Sequence, residues 1–248
     1  MYASVIGYGR MGKLVHEVLK ERNHAIVSTV DPDERQATHK TISGDALRDA
    51  EVCICFTRPS VALENIRDIA QLGKNMVVGT TGWYDSLNDA KEIVARAKVG
   101  LIFSANFSIG VNIFFRCVEI IAGILNSFPD YDVFVTEQHH KGKVDSPSGT
   151  ARELGKILLR NLRRKQAVVT ERLDRRIGSE ELHVASVRGG FVPGVHCVTY
   201  DSEVDTIELC HTARSRKGFA VGAVMAAEWI LNKKGVYTKD DMLKDVLE

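Results

Sequence analysis

Two histidines and two lysines lie close together near the middle of the sequence, within a stretch that reads EQHHKGKVDSPSGTA. Histidine can exchange a proton near neutral pH, because the pKa of its unperturbed side chain is about 6.5. Lysine adds a positive charge that attracts anions. The pair His139 and His140, followed by Lys143, therefore indicates proton transfer beside a bound anion.

The residues after these histidines predict a carboxylate pocket at a helix start. Thr150 and Glu153 have the spacing of a capping box, and Ser148 could cap the helix instead. Either choice leaves free backbone N–H groups near Gly149 and Thr150 that attract an anion. Lys143 and one histidine would add positive charge, and the Thr150 hydroxyl would add a hydrogen bond.

Strand geometry limits what the two histidines can reach. His139 and His140 end a predicted strand, where adjacent side chains face opposite sides while the chain is extended. Gly142 predicts a bend that would relax this rule. Nearby cations would favour the neutral form of histidine, and the proton would then come from a lysine or from water.

Two other kinds of site are weaker interpretations. Zinc could be considered at five residues, namely His183, His196, Cys197, Cys210 and His211. However, the sequence has no CxxC pair, and adjacent cysteine and histidine side chains point apart on a strand. Ser148 lacks the GxSxG surroundings of a nucleophilic serine. We therefore expect no metal ion and no serine nucleophile.

A glycine motif at the start of the chain predicts a dinucleotide site. Gly7, Gly9 and Gly12 form a GxGxxG pattern between a predicted strand and a predicted helix. The glycines allow a tight turn, close approach of a pyrophosphate, and close packing of helix on strand. Asp31 ends the second strand, 19 positions after Gly12, where an acidic residue binds the adenine ribose. The predicted cofactor-binding residues of this region are Gly7, Tyr8, Gly9, Arg10, Met11, Gly12 and Asp31.

The cofactor is NADH, NADPH or both. The charge of Asp31 should repel a 2′-phosphate, which favours NADH, although Arg35 or Lys40 could reach that phosphate. The nicotinamide end should lie at the carboxyl ends of the other parallel strands. Three loops follow such strands and complete the predicted cofactor site: Phe56 and Thr57; Gly79, Thr80 and Thr81; and Ser104, Ala105, Asn106 and Phe107.

The hydrophobic pattern predicts two domains that position these residues. In residues 1–107, short apolar strands alternate with helical segments, which is typical of a parallel sheet covered on both faces. The strands predicted at 182–187, 195–200 and 204–209 have the close spacing of an antiparallel sheet. We expect an α/β fold: a Rossmann-type domain from 1–107 and 215–248, and an α+β domain with a mostly antiparallel sheet from 108–214.

Composition excludes some classes of partner. The 248 residues include 33 basic and 32 acidic side chains, and this balance argues against broad attraction to nucleic acid or membranes. The sequence has no signal-peptide pattern and no apolar run of membrane-spanning length, so we expect a cytoplasmic protein. The five cysteines, Cys53, Cys55, Cys117, Cys197 and Cys210, are expected to be reduced core thiols.

The sequence resembles the dihydrodipicolinate reductase family along nearly its whole length. The resemblance lies in GYGRMG, FTRP, GTTG, SANFSIGVN, EQHHKGKVDSPSGTA, SVRGGFVPGVH and HTARSRKGFA. It implies reduction of 4-hydroxy-tetrahydrodipicolinate, a small dicarboxylate, to tetrahydrodipicolinate by NADH or NADPH in lysine and diaminopimelate biosynthesis. The glycine turn is shorter than in many members, so the family's cofactor preference is not carried over.

The resemblance also implies roles for residues. His139 resembles the proton donor, and Lys143 an assisting acid or substrate clamp, while His140, Ser148, Gly149 and Thr150 would bind substrate. The family implies a homotetramer joined through the sheet of the second domain. Two alternatives are another amino-acid-pathway dehydrogenase, acting on diaminopimelate or aspartate, and a dinucleotide sensor without enzymatic activity. The sequence lacks the DNA-binding helix pair or basic face expected of such a sensor.

Overall fold

Strands and helices alternate through the first half of the computed structural model, which describes residues 1–247. The strands are β1 (Tyr2–Ile6), β2 (Ala25–Val30), β3 (Val52–Cys55), β4 (Asn75–Val78), β5 (Gly100–Phe103), β6 (Asp132–His139), β7 (Ala167–Val169), β8 (Glu181–Arg188), β9 (Val195–Asp201), β10 (Thr206–Thr212) and β11 (Gly235–Thr238). The α-helices are α1 (Arg10–Glu21), α2 (Ala62–Gln71), α3 (Leu87–Ala97), α4 (Ile109–Leu125), α5 (Gly149–Asn161), α6 (Lys217–Ile230) and α7 (Lys239–Leu247).

The chain divides into two units. Unit 1 contains Met1–Ile109 together with the residues from Arg216 onward, and unit 2 contains Gly110–Ser215. Each unit has one sheet. Among residues 1–247, no helix combines the length and the apolar character needed to cross a membrane.

The sheet of unit 1 is a parallel, Rossmann-like sheet. Its strand order is β11-β5-β4-β3-β1-β2, and every neighbouring pair is parallel. Alternate strand residues enter two different cores: Cys53 and Cys55 pack with α2 and α3, whereas Val52 and Ile54 pack with α1 and α6. Because all strands run in the same direction, the loops after β1 to β5 lie at one edge of the sheet, where the carboxyl ends of the strands are. The direction in which strands are added to the sheet reverses beside β1.

The sheet of unit 2 is mixed. Its order is β10-β9-β6-β8-β7, in which the pairs β10–β9 and β9–β6 are antiparallel and the pairs β6–β8 and β8–β7 are parallel. The expected mostly antiparallel character therefore holds for only half of the pairings. The chain between β6 and β8 contains α5, which provides the crossover that a parallel pair requires. Both α4 and α5 pack with Val135 and Val184 in one core.

The hairpin between β9 and β10 differs from the predicted one. The last strand was expected at 204–209, but it runs from Thr206 to Thr212. The reason is a turn in which Ser202 N donates to Asp205 O at 3.0 Å, so that pairing begins with Thr206 opposite Asp201. Short β7 and β11 and the final helix α7 were not predicted.

The cysteines fall into two groups. Cys53 and Cys55 are buried thiols, and burial raises the pKa of Cys53 to about 12. Cys117 is a half-buried free thiol. The expectation of a reduced core thiol is wrong for Cys197 and Cys210, which form a disulfide. The register of β9 and β10 places these two residues directly opposite each other, where side chains on one face of an antiparallel pair approach closely.

Candidate active site

The glycine turn of unit 1 leaves β1 and begins α1. Gly7 has a φ of 86°, and a Cβ there would lie 2.2 Å from the carbonyl oxygen of Phe56. A Cβ on Gly12 would lie 2.0 Å from the carbonyl oxygen of Gly7. A Cβ on Gly9, by contrast, would have no heavy atom of the described chain within 4 Å. Gly7 and Gly12 are thus required by packing, whereas Gly9 borders open space.

The N-terminus of α1 is able to bind an anion. Gly9 is the N-cap residue of α1. Within the described chain, no side chain caps this helix, and its first turn contains no acidic residue. Arg10 and Met11 open the helix. The first backbone N–H groups of a helix lack partners inside it, and the helix dipole adds positive character there. These features fit the pyrophosphate of a dinucleotide.

Asp31 ties the glycine turn to the loop after β2. Its carboxylate accepts hydrogen bonds from the backbone N–H groups of Tyr8 at 2.7 Å, Asp33 at 2.9 Å and Glu34 at 3.0 Å. Burial acts to raise the pKa of Asp31, but these hydrogen bonds outweigh it, and the pKa lies below its ordinary value. Asp31 is therefore an anion beside the turn, and its contact with a ribose remains a prediction.

The loops after β3 and β4 pack against each other. A Cβ on Gly79 would lie 2.2 Å from the ring of Phe56, so glycine lets the two loops approach. Thr57 N donates to Thr80 Oγ1 at 2.9 Å, and Thr80 is buried. Thr81 is exposed. Thr80 thus holds the neighbouring loop in place, and Thr81 is the more accessible residue.

The loop after β5 is fixed by its own residues and by α6. Ser104 Oγ donates to Asn106 O at 2.8 Å, and the same oxygen accepts from Asn106 N at 3.0 Å. Phe107 is only 2% exposed, and a Cβ on Gly222 of α6 would lie 1.7 Å from the Phe107 carbonyl oxygen. Ala105 is exposed. The Phe107 side chain therefore belongs to the core. All residues predicted to bind cofactor lie at the carboxyl-end edge of this one sheet.

In unit 2, β6 presents two buried polar side chains on one face. Glu137 and His139 are two positions apart, and they are 1% and 7% exposed. His140 follows the end of the strand, is half-buried, and donates from its backbone N to Val192 O at 2.8 Å. The two histidines are thus separated in the way that strand geometry predicts.

One oxygen of Glu137 is saturated by donors from two other elements. Glu137 Oε1 accepts hydrogen bonds from Ser148 N at 2.9 Å, Ser186 Oγ at 2.7 Å and Arg188 Nη2 at 2.8 Å. Burial acts to raise the pKa of Glu137, but the surrounding donors outweigh it and hold that pKa far below its ordinary value. Glu137 is therefore a buried carboxylate with a fixed orientation.

The other oxygen of Glu137 lies between two imidazole rings. Oε2 is 3.3 Å from His139 Nδ1 and 3.4 Å from His196 Nε2. His196 Nε2 is also 3.0 Å from Ser148 Oγ. The rings of His139 and His196 meet edge to face, with centroids 5.0 Å apart.

His139 is held in its neutral form when nothing is bound. Burial lowers the pKa of His139 to about 4; Glu137 opposes this shift, and His196, Lys143 and Arg188 reinforce it. The side chain is therefore an uncharged imidazole at pH 7. The sequence prediction that nearby cations favour the neutral form is in line with this direction.

The start of α5 is capped by Ser148. Ser148 Oγ accepts from Ala151 N at 3.2 Å, so of the two capping arrangements considered from the sequence, Ser148 caps and Thr150 lies inside the first turn. That turn contains no acidic residue among those described. Gly149 is exposed and Thr150 half-buried. Their backbone N–H groups are suitably placed for a carboxylate.

Lys143 lies in the loop between β6 and α5. Its Nζ is 2.7 Å from Asp145 Oδ1, and its side chain is 22% exposed. Arg188 Nη2 donates to the backbone oxygen of Asp145 at 2.7 Å. Asp145 thus links two cations near His139. Because its side chain is partly exposed to solvent, Lys143 is accessible to an anion that binds here.

Several residues of this network were missed by sequence reasoning: Glu137, Ser186, Arg188 and His196. For Glu137 a signal was present, because a residue two positions before His139 on a strand shares its face. Ser186, Arg188 and His196 lie in the stretch SVRGGFVPGVH, which contributes to the family resemblance but assigned them no role in this site, and His196 was considered only for zinc. Only the pairing of β8 and β9 with β6 brings these residues to Glu137.

Three of these side chains could also hold a metal ion. Glu137, His139 and His196 each offer one ligand atom, and these atoms lie within 4.8 Å of one another. Arg188, 2.8 Å from the same carboxylate, already provides positive charge and would oppose a divalent cation. The absence of a metal remains a prediction.

The two halves of the chain match two parts of one family. Residues 1–107 match the family described as Dihydrodipicolinate reductase, N-terminus, and residues 110–243 match Dihydrodipicolinate reductase, C-terminus. A relative from Christiangramia forsetii is 39% identical over 250 residues and covers all of both chains. One from Archaeoglobus fulgidus is 37% identical over 254 residues, 95% of this chain and 96% of the relative. Both relatives are named 4-hydroxy-tetrahydrodipicolinate reductase.

Solved structures share the fold. Dipicolinate-bound dihydrodipicolinate reductase from Paenisporosarcina sp. TG-14 has a TM-score of 0.77 at 20% identity, covering 96% of this chain and 97% of its own. The DAP dehydrogenase of C. glutamicum in complex with DAP has a TM-score of 0.54 at 11% identity, covering 96% and 92%. The family matches, the full-length relatives and this fold lead to one assignment. The chain belongs to the dihydrodipicolinate reductase family.

Proposed function

We propose that this protein is an NAD(P)H-dependent oxidoreductase that reduces 4-hydroxy-tetrahydrodipicolinate to tetrahydrodipicolinate in lysine and diaminopimelate biosynthesis. One observation carries the proposal: in a chain whose two halves match this reductase family, the buried pair Glu137 and His139 lies beside the open start of α5. That arrangement can hold a carboxylate and move a proton next to it.

Substrate is held by its carboxylates. The backbone N–H groups of Gly149 and Thr150 and the Thr150 hydroxyl bind one carboxylate at the N-terminus of α5, where the helix dipole favours negative charge. Ser148 holds this turn by capping it. Lys143 and His140 add positive charge and hydrogen bonds. Dipicolinate, which is bound to the related enzyme from Paenisporosarcina, is a suitable probe of this pocket.

His139 supplies the proton. When bound, the reduced nicotinamide supplies a hydride to the substrate ring, and water leaves the substrate. The pKa of His139 is about 4 in the free protein, so the residue must gain its proton when a dianion arrives. A bound dicarboxylate favours the imidazolium form, because an opposite charge raises the pKa of a histidine. Lys143 assists as a second cation.

The cofactor binds across the glycine turn of unit 1. The residues from Gly7 to Gly12 receive the pyrophosphate, and Asp31 lies where the adenine ribose is expected. Its charge favours NADH. Lys40, whose Nζ donates to the Glu34 backbone oxygen at 2.8 Å, and exposed Arg35 are the nearby cations that could accept the 2′-phosphate of NADPH.

The test is direct reduction by the purified protein. Substrate is generated in place from pyruvate and aspartate semialdehyde by the preceding synthase, and oxidation of NADH and of NADPH is followed in separate cuvettes. We expect oxidation that depends on the synthase and is inhibited by dipicolinate. If neither cofactor is oxidised by protein that binds NADH, the reductase assignment fails and another dehydrogenase or a sensor becomes the better explanation.

The protein forms a homotetramer through the outer face of the unit 2 sheet. That face lies opposite α4 and α5 and includes Phe134 and Val187, which are 39% and 57% exposed. Exposed apolar side chains on a sheet face are typical of an interface. Light scattering should give a tetramer, and Phe134→Lys combined with Val187→Lys should give smaller particles. A wild-type monomer would contradict the proposal.

The protein acts in the cytoplasm, where NADH and NADPH are available. Cell fractionation should recover the protein in the cytosolic fraction. Recovery of the protein in a membrane or periplasmic fraction would contradict this location.

A further inference from the structure

We infer that Glu137 is a positioning residue that fixes the tautomer of His139. In this arrangement Oε2 accepts a hydrogen bond from His139 Nδ1–H, which leaves Nε2 as the atom that exchanges a proton with substrate. The role of His139 Nε2 in proton exchange with substrate rests on the proposed function, whereas the contact between Glu137 and His139 does not. It adds to the reaction a residue that was not among the site residues predicted from the sequence.

The carboxylate of Glu137 cannot turn away from His139. Three donors hold Oε1: Ser148 at the start of α5, and Ser186 and Arg188 on β8. They approach from two elements other than β6, and Glu137 is 1% exposed. A carboxylate bound in this way has one oxygen committed to the scaffold. Its other oxygen, Oε2, is directed at the histidines.

The two facing atoms lie close enough to satisfy each other. Glu137 Oε2 and His139 Nδ1 are 3.3 Å apart, and among the residues that the structure describes neither atom makes a hydrogen bond. A buried polar atom without a partner costs about 1–3 kcal/mol, so a proton shared between them is favoured. On the far side of the ring, His139 Nε2 lies 3.0 Å from where a Cβ on Gly194 would be. The absence of a side chain at Gly194 makes room for this nitrogen.

The charges around His139 come from four places. Glu137 is on the same strand, His196 on β9, Arg188 on β8 and Lys143 in the following loop. Of these, Glu137 alone favours the imidazolium. Replacing the Glu137 carboxylate by an isosteric amide would change both the tautomer of the neutral ring and the stability of the imidazolium. In Glu137→Gln an amide N–H would face Nδ1, so the neutral ring would carry its proton on Nε2, and the imidazolium would lose its counter-charge.

The experiment combines NMR with kinetics. The ¹⁵N shifts of the His139 ring distinguish the two neutral tautomers, and His139→Gln identifies the signals. We expect an Nδ1–H ring in the wild type at pH 7 and an Nε2–H ring in Glu137→Gln. Turnover should fall about 10²-fold or more, with a smaller change in KM for substrate, and the pKa of His139 should fall further. Glu137→Asp, which keeps the charge, should recover part of the turnover.

A matched control is Glu181→Gln. Glu181 also pairs with an arginine, Arg175 of the loop before β8, at 2.6 Å. Glu181 begins β8, so it lies at the other end of that strand from Arg188. This variant should keep the wild-type tautomer and turnover. Equal losses in Glu181→Gln and Glu137→Gln would reduce Glu137 to a structural role and overturn the inference.

Other outcomes separate the possible failures. An Nε2–H ring in the wild type overturns the inference without any variant, even if Glu137→Gln does not fold. Activity lost to a chelator and restored by zinc overturns it too, because Glu137 would then be a metal ligand. If His139→Gln keeps its activity, the proposed proton donor is wrong, while the measured tautomer still decides whether Glu137 orients the ring.

Discussion

The two candidate sites are built from different parts of the polypeptide. In unit 1 the candidate cofactor site consists mainly of backbone. A Cβ on Gly7 or Gly12 would lie 2.2 or 2.0 Å from a backbone oxygen, so both positions require glycine. The backbone N–H groups at the uncapped start of α1 complete the site. In unit 2 the site consists of side chains around one buried carboxylate, Glu137, with partners from β8, β9 and the start of α5. A backbone site tolerates changes in neighbouring side chains, whereas a side-chain network depends on every member.

The comparison predicts that damage to one site leaves the other intact. Removing the proton donor with His139→Gln should lower turnover by about 10²- to 10⁴-fold, because general acid catalysis contributes that much. The Kd for NADH, measured by fluorescence, should not change. His140→Gln is the control and should mainly raise KM for substrate. A His139→Gln enzyme with more than a tenth of wild-type turnover would contradict the role of His139.

Two glycines of the same turn should respond differently to a methyl group. Gly12→Ala places a Cβ 2.0 Å from a backbone oxygen, so we expect it to lower the free energy of unfolding by roughly 1–3 kcal/mol. Gly9→Ala meets no described atom within 4 Å and should leave stability within about 0.5 kcal/mol of wild type. It should nevertheless weaken NADH binding about tenfold by filling the space above the turn. Unchanged NADH affinity in Gly9→Ala would show that the pyrophosphate does not approach there.

The buried network of unit 2 should make stability depend on pH. His139 has a pKa of about 4 in the folded protein against 6.5 for the ordinary side chain. Between these values the unfolded chain binds a proton that the folded one does not, so the free energy of unfolding falls as pH falls. Urea unfolding at pH 7 and pH 5 should show a loss that is roughly 1–2 kcal/mol larger in wild type than in His139→Gln. Equal losses would mean that His139 titrates normally.

The smallest expected effect distinguishes two roles of Asp31. Because it accepts a hydrogen bond from Tyr8 N, Asp31→Ala should loosen the glycine turn and weaken NADH and NADPH alike, by a few-fold. If Asp31 also contacts the ribose, the loss for NADH should exceed the loss for NADPH. Isothermal titration with both cofactors measures the difference, and equal losses would restrict Asp31 to supporting the turn.

The same contrast explains what could be predicted from the sequence. The parallel sheet and the dinucleotide fold followed from local patterns, because Gly7 to Gly12 are adjacent in the chain. The histidines and the start of α5 also lie in one stretch of sequence. The partners of Glu137 could not be found this way, since Arg188 and His196 are 51 and 59 positions away and meet it only through strand pairing. The Cys197–Cys210 pair depended in the same way on the register of β9 and β10.

The chain order of the two units has a consequence for synthesis on the ribosome. Unit 1 is interrupted: Ala223, Ala227 and Ile230 of α6 fill the core on one face of its sheet, and β11 adds the edge strand beside β5. Unit 2 is continuous and is translated before those elements. The nascent unit 2 can therefore fold first, while the part of the apolar sheet face that α6 covers beside α1 stays exposed until α6 emerges. During that interval the exposed face is a target for chaperones, and truncations near the C-terminus should harm the dinucleotide unit although its glycine motif is at the other end of the chain.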